Sequence, residues 1–172
     1  ESGIKGAYTI EPDVYIDDRG FFMETFHIER YRKLLGMNLD YVQDNISRSS
    51  KNVLRGMHFQ RNYPQGKIVK ASRGEILDVI VDLRKDSSTY GSWESFKLSE
   101  QNKLQVWIPP GFAHGFLVMS DSADLEYKFT EYYHPEDELC LLWNDPEVAI
   151  DWPINDPILS EKDKKGLSLK DL

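Results

Sequence analysis

Cysteine is nearly absent from this chain, with one, Cys140, in 172 residues. A single thiol cannot build an intrachain disulfide framework or, alone, a thiolate metal cluster, and such usage fits a reducing compartment. Long apolar runs are also lacking. No stretch approaches the roughly 18 apolar residues that a membrane-spanning helix needs, and Glu1-Ser2-Gly3 does not lead from a basic into an apolar segment. The expectation is a cytoplasmic protein with no membrane partner. Positive charge is in deficit, since 21 Lys and Arg face 29 Asp and Glu for a formal charge of -8. That field disfavours nucleic acid, so an anionic ligand has to be met by a few placed Arg and Lys. The sequence has no fixed-period repeat, low-complexity tract or linker-like shift in composition, so residues 1–172 are expected to form one domain. The Gly-x-Gly-x-x-Gly fingerprint of dinucleotide binding is missing too.

What fills the chain is a succession of short alternating runs cut by turn residues, an all-β pattern. Glu75 to Arg84 is the clearest strand, with Leu77, Val79, Val81 and Leu83 on one face and Ile76, Asp78, Ile80 and Asp82 on the other. The run Gly66 to Ala71 is expected to join it in a hairpin through Ser72-Arg73-Gly74. Further strands are expected at Trp93 to Leu98, Leu104 to Ile108, Gly111 to Ser120 and Ala123 to Tyr132, a density that favours a jelly roll. Helix is expected at His27 to Gly36, and Ser160-Glu161-Lys162-Asp163 has the form of a helix start.

Two of the four histidines, His27 and His134, fall in polar segments expected to be exposed. The other two, His58 and His114, fall in β-rich runs. Alternation groups His114 with Phe112, Phe116 and Val118, and an imidazole on an apolar face needs a partner. Tyr127 shares a face with Leu125 and Phe129, either as a core aromatic or as a phenol aimed at the same interior. Lys67 opens a strand. Straight alternation would put Arg55 and His58 on opposite faces, but a bulge at Gly56 would bring them together. The segment Pro110-Gly111-Phe112-Ala113-His114 has the form of the second cupin motif. In the first motif the second histidine is replaced by Gln60, which leaves two candidate His ligands where a catalytic metal usually takes three protein ligands. No metal is therefore expected.

The stretches DDRGFFMETF, YVQDNISRSSKNVLRGMHFQ, PQGKIVKASRGEILDVIVDLRKDSSTYGSW, LQVWIPPGFAHGFLVMSDSADLEYKFTEYYHPE and WNDPEVAIDWP resemble, in order, the dTDP-4-dehydrorhamnose 3,5-epimerase family. The resemblance implies a cupin-like jelly-roll barrel (a double-stranded β-helix) with short peripheral helices, no metal or other cofactor, a homodimer, and a dTDP-4-dehydro-6-deoxyhexose substrate. It implies that His58 is the base, Tyr127 the opposing acid, and Lys67 and His114 part of the sugar site. It casts Arg19, Glu24, Gln43, Asp44, Asn45 and Arg55 as substrate and nucleotide contacts, with Arg19 and Arg55 on the diphosphate. Glu138 and Lys162 match further contact positions. Asp163 has two readings, as the carboxylate paired with His58 or as part of a helix cap. Epimerisation at one carbon, a metal-dependent cupin oxygenase and a non-catalytic sugar-nucleotide binding module are the competing functions.

Overall fold

The computed structural model describes residues 3–172; Glu1 and Ser2 of the opening segment lie outside the described residues. In chain order the strands begin with β1 (Tyr8–Ile10), β2 (Val14–Asp17) and β3 (Gly20–Met23), followed by the helix α1 (Ile28–Leu35). Next come β4 (Gln43–Ser50), β5 (Leu54–Gln60), β6 (Lys67–Arg73), β7 (Glu75–Asp82) and β8 (Trp93–Ser99). Last are β9 (Gln105–Ile108), β10 (Phe112–Val118), β11 (Ser122–Phe129) and β12 (Glu138–Cys140). Two five-stranded antiparallel sheets, ordered β1-β9-β6-β11-β4 and β12-β5-β10-β7-β8, make a cupin-like jelly roll, and β2 and β3 form a separate hairpin.

Alternation sorts each strand between an inner and an outer core. Ile76 and Ile80 join Phe112, Phe116, Val118, Leu125 and Val106 in the core between the sheets. Their neighbours Val79 and Val81 join Met57, Ala113 and Leu117 in a second cluster, closed by Leu141, Val148 and Trp152 of the C-terminal segment. On the first sheet Val69 points inward, while Ile68 and Trp107 pack outward with Tyr31 and Leu35 of α1. Those two helix residues are spaced i, i+4, and the helix stops at Gly36, whose left-handed φ of 66° favours glycine.

The expected hairpin between β6 and β7 does not form. β6 pairs with β9 and β11, β7 pairs with β8 and β10, and the chain crosses between the sheets at Gly74. Gly74 has φ +70°, and a Cβ there would lie 2.1 Å from the Ser122 carbonyl oxygen, so the chain turns a tight corner instead of folding back into a ladder. The C-terminal helix start yields one 3-10 turn, Asp163–Lys165. His27 and His134 are half-buried rather than exposed, and His134 stacks on Tyr63 at 4.2 Å.

Candidate active site

One end of the barrel opens into a cavity of about 540 Å³ whose walls come from both sheets. The inward faces of β4 and β11 supply Gln43, Asn45, Ser47 and Tyr127, and β6 supplies Lys67. Opposite them, β5 and β10 supply Arg55, His58 and His114, and β12 supplies Glu138. Asp44 reaches the rim, where its carboxylate takes Lys128 Nζ at 2.7 Å.

Arg55 and His58 share the cavity because β5 is bulged. His114 pairs with His58 and Phe116 with Arg55, so β10 advances two residues (116 - 114) while β5 advances three (58 - 55). The extra residue reverses the facing that straight alternation predicts. Gly56 permits this, with φ +125° and a backbone so close to β10 that a Cβ would lie 2.6 Å from Gly115 Cα.

His58 Nε2 lies 2.6 Å from Asp163 Oδ1. The carboxylate only accepts, so Nε2 carries the hydrogen, and in the neutral imidazole the lone pair is then on Nδ1, with Glu138 Oε1 3.9 Å away. Burial raises the Asp163 pKa, but hydrogen bonds with His58, Ser160 and the Gly56 backbone outweigh it and hold the carboxyl below its ordinary value. The Asp163 backbone N–H donates to Ser160 Oγ at 3.1 Å, but the 3-10 turn that Asp163 opens has Lys162 at its N-cap with no side-chain cap bond, and the Asp163 carboxylate goes to the imidazole.

His114 Nε2 makes a second, deeper pair with Asp78 Oδ1 at 2.7 Å, and burial lowers the His114 pKa in spite of that carboxylate. Lys67 is buried and shifted down to about 8 by desolvation, against the opposing pull of Glu138 and Asp78. Among the described residues neither Lys67 nor Arg55 forms an ion pair; Arg55 donates to Ser49 Oγ at 2.9 Å, and Lys67 lies 5.9 Å from the centre of the Phe129 ring. By contrast, the cavity acid Glu138 is neutralised by Lys162 and accepts from the Tyr133 hydroxyl at 2.8 Å. Tyr127, whose hydroxyl lies 3.2 Å from Ser47 Oγ, is pushed up to about 12 by burial.

Three expected contacts, Arg19, Glu24 and Lys162, do not line the cavity within one chain. Arg19 sits in the turn of the β2–β3 hairpin and is paired with Asp17, while Glu24 is paired with Arg30 beside α1. Lys162 pairs with the cavity acid Glu138 but itself lines an adjoining recess of about 280 Å³ that shares Arg55 and His58 with the cavity. Three residues of the site were not singled out from sequence. Asp78 carried a usable signal as an acid on the apolar face of β7, whereas Ser47 and Tyr133 lay in polar stretches without periodicity.

Among the described residues, His58, Cys140 and Asp163 bring ligand-type atoms within 4.8 Å of one another. Burial pushes the Cys140 thiol up to about 12, which keeps it a neutral thiol, and His58 Nε2 is engaged by Asp163. Gln60, at the position of the missing cupin histidine, is committed to structure: its amide donates to the Tyr63 and Tyr132 carbonyls and accepts from the His134 N–H.

The family model for dTDP-4-dehydrorhamnose 3,5-epimerase matches residues 1–171. The chain belongs to the dTDP-4-dehydrorhamnose 3,5-epimerase family. The family's Pseudomonas aeruginosa member, named dTDP-4-dehydrorhamnose 3,5-epimerase, is 51% identical over 169 residues, 98% of this chain and 93% of that one. A Streptomyces niveus member named dTDP-4-dehydrorhamnose 3-epimerase is 40% identical, covering 97% of this chain and 81% of that one. Among solved epimerases, the Legionella pneumophila dTDP-6-deoxy-D-glucose-3,5-epimerase in complex with dTDP-4-keto-L-rhamnose superposes with a TM-score of 0.96 at 50% identity, covering 98% of this chain and 90% of that one.

Proposed function

We propose that this protein inverts C3 and C5 of dTDP-4-dehydro-6-deoxy-D-glucose to give dTDP-4-dehydro-L-rhamnose, with His58 as base and Tyr127 as acid. The observation that carries this reading is their placement, His58 on β5 of one sheet and Tyr127 on β11 of the other, facing one cavity that also holds the unpaired cation Lys67. The C4 ketone acidifies the hydrogens on C3 and C5, but abstraction is too slow unless the enolate oxygen is stabilised as it forms. Lys67 places its charge there. Nδ1 of His58 takes the proton, and Asp163 fixes the tautomer and supports the imidazolium. Tyr127 then delivers a proton to the opposite face of the carbon, and removal from one face with delivery to the other is the inversion. No electrons are transferred, so the chemistry calls for no nicotinamide. Arg55 meets the diphosphate, because a forked guanidinium matches two phosphate oxygens.

The functional unit is proposed to be a cytoplasmic homodimer. Its support is the β2–β3 hairpin, which exposes Tyr15, Ile16, Phe21 and Phe22, with Ile16 and Phe22 80% and 70% exposed. Tyr15 and Phe22 share one face of the hairpin and Ile16 and Phe21 the other, so both faces carry exposed apolar side chains that a second copy would cover. Arg19 sits at its turn, so a hairpin laid on the partner would carry this arginine toward the partner's cavity. The test of the activity is proton NMR of the substrate with the protein in deuterium oxide, with EDTA and no added cofactor. Loss of both the C3 and C5 signals with formation of the rhamno product supports the double epimerase. Loss at one carbon selects a single-site epimerase, and no loss at either overturns the assignment.

A further inference from the structure

Each inversion leaves the site in the wrong state for the next one. His58 has gained a proton and Tyr127 has lost one, and a double epimerase must reset both between its two steps. The reset of His58 needs only a water at Nδ1. The reset of Tyr127 is harder, because burial pushes the phenol up to about 12 and its phenolate is costly to leave standing. Among the described residues, the hydrogen-bond partner of that phenol is Ser47, at 3.2 Å. Ser47 lies on β4, the edge strand whose one neighbour is β11, and it is half-buried in the wall of the cavity that Tyr127 also lines. On the same inward face, two residues along, Ser49 holds Arg55 at 2.9 Å, and the Arg55 charge favours the phenolate form of Tyr127.

We infer that Ser47 is the relay that returns a proton from solvent to Tyr127 after each inversion, a positioning residue that acts through the phenol without touching the reacting carbons. The inference rests on the proposed role of Tyr127. In the first step the Tyr127 O–H bond breaks, and the enolate electron pair forms the new C–H bond at C3 or C5. The phenolate then takes the Ser47 Oγ proton while a solvent water gives one to Ser47. The hydroxide so formed is neutralised by the proton that His58 releases, which closes the balance. Exchange with retained configuration needs none of this, since His58 can remove a proton and return a solvent deuteron on the same face.

The test is NMR in deuterium oxide that scores, per molecule of substrate, deuterium gained with retention against deuterium gained with inversion. Ser47→Ala is expected to slow inversion at least about tenfold, a fraction of the usual worth of a general acid, while exchange with retention changes no more than about threefold. Ser47→Thr, which keeps the hydroxyl, is expected to restore the parent partition. A parent-like partition in Ser47→Ala, or an equal fall of exchange and inversion, would overturn the relay. A second readout needs no variant: the solvent proton inventory of inversion in the parent should curve, with more than one proton in flight, and a linear inventory overturns the relay. Tyr127→Phe separates this failure from that of the underlying reading. Parent-like inversion in that variant removes Tyr127 from the mechanism, whereas lost inversion there with an unchanged partition in Ser47→Ala removes the relay alone.

Discussion

Replacing Asp163 by asparagine is the sharpest test of the proposed base. The change keeps the volume of a side chain that is 4% exposed, yet removes the charge that accepts His58 Nε2–H at 2.6 Å. Two losses follow. The imidazolium formed in the transition state loses a counter-charge worth about 4 kcal/mol for unit charges roughly 4 Å apart at an effective dielectric of about 20. The amide can also present its NH2 to Nε2, which drives the hydrogen to Nδ1 and occupies the lone pair that the mechanism needs. The charge loss alone is about a thousandfold in rate, and loss of a tautomer-fixing carboxylate reaches about ten-thousandfold where it orients a catalytic histidine. The expectation for Asp163→Asn is therefore a fall of about 10³ to 10⁴ in deuterium exchange at both C3 and C5. Because Asp163 also receives the Gly56 backbone N–H, thermal melting and dTDP affinity should be measured on the same sample; both are expected to stay near the parent. Exchange within tenfold of the parent, in a variant that binds dTDP normally, would refute the role given to the pair.

Lys67→Met should abolish exchange yet stabilise the fold. Lowering the lysine from 10.5 to about 8 corresponds to about 3 kcal/mol of stability withheld at neutral pH. Between pH 8 and 10.5 the unfolded chain binds the extra proton, so this group's penalty is full below pH 8 and fades as pH rises through that window. Denaturant titrations should show the variant's advantage at pH 7 and its disappearance near pH 10.5. The same titration predicts that the parent's exchange rate falls above pH 8 as Lys67 loses its charge, and a rate that stays flat to pH 10 would remove the lysine from enolate stabilisation. Gly56→Ala should lose about 3 kcal/mol in a thermal or chemical melt and lose exchange with it, since a Cβ must displace the β10 backbone and the bulge aligns Arg55 with His58. Parent-like melting in that variant would mean that the bulge tolerates a side chain.

The legibility of the fold followed burial. β7 and β10 are covered on both sides, and alternation separated Ile80 from Val79 and grouped His114 with Phe112, Phe116 and Val118; the structure puts Ile80 in the core between the sheets and Val79 in the outer cluster. β4 gave no such signal, since Gln43 to Ser50 carries one aliphatic residue, Ile46, and its inward face meets the cavity rather than the core. A strand whose inner face is wet has no apolar period to read. The misassigned hairpin at Ser72 to Gly74 has the same origin, because a glycine-containing turn between two strands reads alike whether the second strand folds back or crosses to the other sheet. Pairing is settled by distant partners, here β11 for one strand and β10 for the other.

The charges of the cavity explain how a chain with a formal charge of -8 can hold a nucleotide diphosphate. The acids at its wall are already answered, Asp44 by Lys128 and Glu138 by Lys162. Arg55 and Lys67 are not, so the local balance is positive although the protein's is negative. Yet Lys67 is buried beside the proposed sugar position, which leaves Arg55 as the one unpaired cation of the described wall for two phosphates. That shortfall is the physical reason to expect a further arginine from outside the chain's own cavity. Arg19, 89% exposed and balanced by Asp17 alone, is placed on the apolar hairpin where a second copy would bring it. Arg19→Ala should then weaken dTDP binding about tenfold, the worth of one charge-assisted hydrogen bond, without moving the ratio of exchange to inversion. Phe22→Asp should produce the same weakening, but by shifting the proposed dimer to monomer in sedimentation. If the monomer formed by Phe22→Asp binds dTDP as tightly as the parent, the cavity is complete within one chain and Arg19 has no part in it.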